Sequence, residues 1–417
     1  MLRGHYYFFL RRIFNKVPYI DETLTTAQAA AVKNDAEIWP KIEADFQFAI
    51  TNLPTTKPKG EIGRVDRLAA QAYLGKVYLY QKKYTEAPAL FNTVIAAKAS
   101  LTTMPFPDNF DVTKENGPES IFAVQHAINP DGSGENANVS DMLGGFYGSA
   151  PVNCCGFYQP TFDLVNAFKT TAAGLPYLDN TYRTAPIIKS DFGLTAAQKA
   201  AYVLDKTFRV DPRMEYTVGR RGVPYHDWGI MAGDGWIRDP AYAGPFVGYK
   251  HMIDQSAFGS NAVKGALQIT GLNVNIIRLA DVYLMAAECN VDGPTPNLAE
   301  AMRLVNLVRQ RAAALPGKVV DGGPAAVYSV QQYTSFPTVA YARSAVQFER
   351  RLELALEGHR WYDLVRWGTA KSVLESYSTF EGSLLSSFAG LTFEDKDAIY
   401  PIPQQQIDRS QGALTQN

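Results

Sequence analysis

The chain has 417 residues, 46% of them apolar and 12% aromatic, with a formal net charge of -1. That length is too great for one small core and predicts two or three packed subregions. Lys and Arg nearly balance Asp and Glu and form no basic block, which argues against nucleic acid as a partner. The sequence opens with "MLRGHYYFFLRRIFNKVPYI". Apolar residues alternate with arginines at helical spacing up to Pro18, and no cleavage site of the secretory type follows. No apolar run approaches the roughly 18 residues needed to span a bilayer. Residues 36–52 read as a helix with Ile38, Ile42, Phe46, Ala49 and Ile50 on one face.

"RLAAQAYLGKVYLYQKKYTEAPALFNTVIAAK" follows a loop and carries the tetratricopeptide pattern: Leu74-Gly75, then Tyr78, Tyr84, Ala87, Phe91 and Val94. Gly75 and Ala87 are expected to let two antiparallel helices approach, and Pro88 falls in the first turn of the second. A looser unit lies at 275–313. There Ile276, Leu279, Ala280, Tyr283, Leu284 and Ala287 form a helical stripe, and "LAEAMRLVNLVRQRAA" returns as a second helix. Between these units, residues 101–272 are rich in Gly, Pro and aromatics, with short β-like runs such as "SIFAVQHAI" and "MEYTVGR". Long irregular segments on a rigid scaffold are where binding usually resides. The expected organisation is a helical scaffold over 1–100, a loop-rich aromatic binding region over 101–272 and a second helical scaffold over 273–417, in one integrated fold.

No metalloprotease, nucleophile-elbow, P-loop or dinucleotide motif occurs, and no histidine has a metal-like partner at i+3 or i+4. No cofactor, metal or catalytic residue is therefore expected. Cys154, Cys155 and Cys289 lack metal spacing, adjacent cysteines rarely bridge each other, and inert thiols are expected. "YHDWGIMAGDGWIRDP" places Asp227, Asp234 and Asp239 beside Trp228 and Trp236. Glycosidases use two carboxylates beside aromatic platforms, so a hydrolase using Asp227 and Asp234 is one reading. Asp-Gly at 234–235 and Asp-Pro at 239–240 are also ordinary turn signals. The aromatics carry more. Tyr225, Trp228 and Trp236 crowd one loop segment, and Tyr147 and Tyr158 another; a sugar's apolar C–H face and hydroxyl rim suit such rings with Asp227 nearby.

"FERRLELALEGHRWYDLVRWG", Phe348 to Gly368, reads as a helix with two apolar sides. Arg350–Glu353, Glu357–Arg360, Arg360–Asp363 and Asp363–Arg366 are i,i+3 neighbours, so its acids are expected to pair locally and serve as framework. Gly358 suggests a close backbone approach or a break. Near the end, the prolines of "YPIPQQQIDRS" argue against a regular helix.

This stretch resembles the carboxyl-terminal hallmark of the SusD/RagB family of Bacteroidetes. "RGHYYFFLRRIFNKVPYI", "NIIRLADVYLMAAECN", "LVNLVRQRA" and "YPIPQQQIDRS" resemble further family segments in the expected order. The resemblance implies a mainly α, SusD-like helical scaffold with tetratricopeptide-like hairpins, long irregular loops and minor β. It implies a non-enzymatic, lipid-anchored protein at the extracellular face of the outer membrane. Such a protein captures oligosaccharide, or peptide in RagB-like members, for a SusC-like TonB-dependent transporter. In the family the opening helix follows a sizeable portion that includes the signal peptide and lipidated cysteine. Here it begins at residue 1, so a chain lacking that portion, the anchor and some packing partners of the first helix is expected. The candidate ligand contacts are Trp228, Trp236, Tyr225, Tyr158, Tyr147 and Asp227.

Overall fold

In the computed structural model, which describes residues 1–417, helices dominate and strands occur only as five two-stranded ladders. The helical scaffold with hairpins and minor β expected from the sequence is the observed fold class. The chain divides into two units: Met1–Val94 with Trp361–Leu374 and Thr392–Asn417, and Ile95–Arg360 with Glu375–Leu391. The sequence suggested boundaries at 100/101 and 272/273. The observed division differs because carboxyl-terminal segments complete the first unit, a pairing that local composition does not reveal.

In the first unit, α1 (Leu2–Phe14) packs on α2 (Trp39–Asn52). Gly4 permits the approach, since a Cβ there would lie 3.0 Å from the Phe46 ring. Arg3 binds Asp45 at 2.6 Å, and the Arg12 guanidinium lies 3.7 Å from the centre of the Tyr362 ring. Leu2, Tyr6 and Leu10, four apart, are exposed along one side of α1. α3 (Arg67–Tyr80) starts at Asp66, whose carboxylate accepts the Ala69 N–H at 2.9 Å, and α4 (Ala87–Ala97) carries Pro88 in its first turn. Of the repeat positions, Leu74, Ala87, Phe91 and Val94 are buried while Tyr78 and Tyr84 are half-buried, and Tyr73 and Val77 add to the core. A Cβ on Gly75 would stand 2.6 Å from the Phe91 ring, so only glycine fits there without movement. The first residues after Pro403 form a short helix, Gln404–Arg409, contrary to the expectation for this segment. Both prolines precede it, where a missing N–H costs nothing.

In the second unit, β1 (Ser120–Val124) pairs antiparallel with β2 (Val274–Arg278). Ile276 therefore belongs to a strand, and the helical stripe begins only at Leu279. The β-branched run found a ladder partner 150 residues away in sequence order, which periodicity alone cannot anticipate. Three helices follow and pack on one another: α5 (Leu279–Asp292), α6 (Leu298–Ala313) and α7 (Val339–Glu353). Asn297 caps α6 by accepting the Glu300 N–H, and Thr338 caps α7 by accepting that of Tyr341.

The 348–368 stretch is not one helix. α7 ends at Glu353, Leu356 and Gly358 take φ values of 64° and 76°, and the chain restarts as α8 (Arg360–Trp367) and then α9 (Ala370–Gly382). Gly358 marks a break: its φ is left-handed and nothing crowds it. Of the expected local pairs, Arg366–Asp363 is formed at 2.8 Å. Arg350 binds Asp281 on α5 at 2.8 Å. The glutamates pair over long range. Glu349 meets Arg309 at 2.9 Å and Arg213 at 2.7 Å; Glu353 meets Arg213 at 2.9 Å, Arg278 at 2.6 Å and also Arg311; Glu357 meets Arg278 at 2.7 Å and Lys250 at 2.6 Å. With Asp211 on Arg213 and Glu119 on Arg278 and Arg311, five buried carboxylates face five buried cations.

Two variants test this framework by urea unfolding. Gly75→Ala gains about 1 kcal/mol of helix propensity but overpacks Phe91, at a cost of about 1–3 kcal/mol, so it is expected to unfold at lower urea. A more stable variant would show that the hairpin can open. Glu353→Gln leaves three buried guanidiniums short of one charge and is expected to lose about 3–5 kcal/mol. Wild-type stability in that variant would show that the buried pairs do not hold the unit together.

Candidate functional site

A cavity of about 450 Å³ lies in the second unit, within the range of roughly 300–1,000 Å³ usual for ligand sites. Five segments build it. The turn Phe106–Phe110 brings Asn109 and Phe110; the loop over 138–159 brings Asn138, Asp141, Tyr158 and Gln159. Lys250 and His251 come from the segment after a short strand, and Asn273 and Asn275 from the approach to and start of β2. The α7–α8 break supplies Leu356, Glu357 and Gly358, so the stretch expected to be pure framework also forms a wall of the cavity. The left-handed residues at 356 and 358 let the backbone turn there instead of continuing as a helix.

The charges around the cavity are spent on one another. Lys250 donates to Glu357 at 2.6 Å and to the Glu353 carbonyl at 3.2 Å, while its ammonium lies 4.5 Å from the centre of the Phe110 ring. Burial pulls Lys250 down to about 8 against the pull of Glu357. Burial would push the Glu357 carboxyl up, but Arg278 and Lys250 more than reverse this and hold it at about 2. The stability this pair contributes is present above the ordinary carboxylate value and is lost as pH falls toward about 2. Asp141 is the opposite case. It accepts from Asn138 at 2.9 Å and from the Thr270 hydroxyl, yet no cation compensates its burial, and burial pushes it up to about 8. His251 Nε2 lies 2.8 Å from the Leu356 carbonyl, so this nitrogen donates, and Nδ1 faces Asp141 at 3.9 Å. Burial lowers the His251 value, so imidazole and carboxyl are both uncharged at neutral pH. The cavity thus offers amides, two aromatic rings and neutral or paired ionisable groups. It can hydrogen-bond an uncharged polar ligand, and it holds no unpaired cation suited to an anion.

The residues singled out from the sequence part company here. Tyr158 lines the cavity with 58% of its surface exposed, its ring 6.4 Å from that of His251. Tyr147 belongs to a separate ledge, where the Arg238 guanidinium lies 4.9 Å from its ring and 4.2 Å from that of Phe157. Tyr225 and Trp236 are only 1% and 8% exposed. They pack around Phe146, and the Tyr225 hydroxyl donates to the Gly248 carbonyl, so neither presents a ring face as the sequence reading expected. Trp228 is half-buried against Phe146 and Phe258 and donates its indole N–H to the Ile253 carbonyl at 3.0 Å. Loop closure claimed these rings because each removes a large apolar area from water. Asp227 accepts the backbone N–H of Ser256 at 2.9 Å and that of Gln255, and Asp234 is paired with Lys199. Both acids are committed to structure and do not form an open catalytic pair. Cys154 and Cys155, expected as separate thiols, are joined in a vicinal disulfide on the loop that carries Tyr158. No group of side chains that could hold a metal ion occurs, and no helix is long and apolar enough to cross a membrane. The asparagines of the cavity were missed in sequence. The one available signal was "NVN" at 273–275, two amides at strand spacing.

Asp141→Asn tests the neutral wall. A carboxyl whose folded value is raised to about 8 lowers folded stability as pH climbs from its unfolded value near 4 through 8. Urea midpoints at a series of pH values are expected to fall for the wild type relative to the variant across that window, by on the order of a few kcal/mol. Parallel curves would show that Asp141 is ionised when folded.

The geometry has clear relatives. The SusD family model matches residues 118–417. SusD-like protein P25 of Formosa agariphila is 24% identical over 90% of this chain, which spans 64% of that protein's length. A SusD-like protein from Bacteroides fragilis superposes with a TM-score of 0.68 at 21% identity, covering 100% of this chain and 78% of its own. A laminarin-binding SusD-like protein superposes with a TM-score of 0.62 at 26% identity, covering 100% and 76%. Because the family match takes in well over half of the sequence and the fold agrees throughout, the chain belongs to the SusD family.

Proposed function

We propose that this chain is a cell-surface glycan-binding protein that captures oligosaccharide and passes it to a SusC-like TonB-dependent transporter in the outer membrane. The observation that carries the reading is the cavity itself. Amide side chains line it together with Tyr158 and Phe110, and every charge nearby is neutralised or paired. Amide groups both donate and accept, which matches a ring of sugar hydroxyls, and aromatic faces match the apolar C–H surface. The similarity to a laminarin-binding protein supports the same ligand class. The ledge of Tyr147, Phe157 and Arg238 offers additional stacking area outside the cavity. Trp228 contributes by holding the loop, and Asp227 by fixing the turn at 255–257. Transporter hand-off and a lipid anchor at the outer face of the membrane follow from the family as a whole. Binding proceeds without covalent chemistry, since the acids best placed for hydrolysis are committed to turns and ion pairs.

Calorimetric titration against a panel of neutral glycans is expected to find a binder that is not cleaved on long incubation. Tyr158→Ala should then weaken it by on the order of 1–2 kcal/mol with unchanged unfolding, because the side chain is exposed. Equal affinity in the variant would move the site away from this cavity, and released reducing ends would replace a binding protein with a hydrolase.

A further inference from the structure

A second cavity, of about 190 Å³, adjoins the first. The two share four lining residues: Asn109, Leu272, Asn273 and Asn275. On its own the smaller cavity is below the usual size of a ligand site, so it can serve only as an annex. Its charged lining is already engaged. Lys114 binds Asp108 at 2.7 Å, and Glu115 accepts the backbone N–H of Asn273.

The three asparagines of the partition differ in what they have left to offer. Asn109 spends both amide hydrogens, on the Phe106 carbonyl at 3.1 Å and on Glu119 at 2.7 Å. Asn273 accepts the His126 N–H at 2.7 Å and donates to Gln125 at 3.2 Å. Asn275 makes only one long contact, 3.4 Å from its Nδ2 to the Asn109 carbonyl, and its Oδ1 is buried with no partner. An orphaned buried acceptor costs about 1–3 kcal/mol, and a hydroxyl crossing the partition would satisfy it. Asn273 and Asn275 both line the two cavities, so the framework amide fixes the wall and the unspent one is left for what crosses it.

We propose that the two cavities form one binding track, in which the smaller cavity is a second subsite for the next unit of a linear, uncharged oligosaccharide, and Asn275 accepts a ligand hydroxyl at the crossing. This deepens the glycan-binding reading and rests on it. The ligand class follows from the arrangement: a chain long enough to occupy both cavities, rich in hydroxyl donors, and without carboxylate or sulfate, for which neither cavity holds an unpaired cation.

The test uses the full chain and uncharged α-glucan, β-glucan, mannan and xylan oligosaccharides graded in length from disaccharide to hexasaccharide. Affinity for the series that binds is expected to rise about tenfold once the chain outgrows the larger cavity. Asn275→Leu removes the acceptor. Ala99→Trp fills the smaller cavity from an exposed position that does not line the larger one. Both variants should abolish the rise; Ala99→Trp should also keep the disaccharide affinity and unfold at the wild-type midpoint. Binding that does not depend on length, or a rise that survives Ala99→Trp, overturns the second subsite while leaving the glycan-binding reading intact. A folded Ala99→Trp protein that also loses the disaccharide overturns the division into two subsites. No binding to any member of the panel overturns the reading and this inference together.

Discussion

Five carboxylates and five cations, nearly all out of contact with water, tie the second unit together. Removing such groups from water costs several kcal/mol each, and the cost is offset only when every charge has well-placed partners. Here the partners come from far apart in the chain. Glu119 lies before β1, Arg278 at the end of β2, Arg309 and Arg311 on α6, and Glu349 and Glu353 on α7. Asp211 and Arg213 belong to a loop, as does Lys250. The network is satisfied only when these segments meet in one arrangement, which gives it directional specificity that apolar packing lacks. Phe106 and Phe110 lie against its cations and shield them further.

The cavity depends on this network. Lys250 and Glu357 belong to both, so the floor of the site is held by charges whose positions are set by the framework. These groups stand paired, while burial disfavours the charged forms of Asp141 and His251 on the adjoining wall. Rigidity and neutrality therefore have one origin. Preorganised amides then lose little entropy on binding, an advantage for a weak polar ligand such as a sugar.

Aromatic content and exposed ring surface separate in this protein. Tyr225 and Trp236 are found in the loop segment richest in rings, yet they build a small core around Phe146 that closes the loops on themselves. That core presents Tyr158 and the Tyr147–Phe157–Arg238 ledge from the neighbouring loop. Long loops without regular hydrogen bonding need such an anchor before they can hold a site in place.

Much was legible in the sequence because its causes are local. Helical periodicity located α2, the tetratricopeptide spacing around Gly75 and Phe91 announced the hairpin of α3 and α4, and Gly358 left a break open as one of two readings in a stretch otherwise read as a single helix. The family resemblance came from the same short segments. What the sequence misjudged depends on distance. The arginines beside Glu353 are its neighbours in the chain, but its partners Arg213, Arg278 and Arg311 come from three other segments, because a buried charge takes the partner that tertiary packing delivers. Ile276 fits a helical stripe until β1 offers a ladder. Asn109, Asn138, Asn273 and Asn275 are unremarkable one by one, and converge only when five parts of the chain close on one cavity. Side-chain type and spacing thus determined the elements and the family. Tertiary structure alone decided which rings are buried, which charges are paired and which amide oxygen is left without a partner.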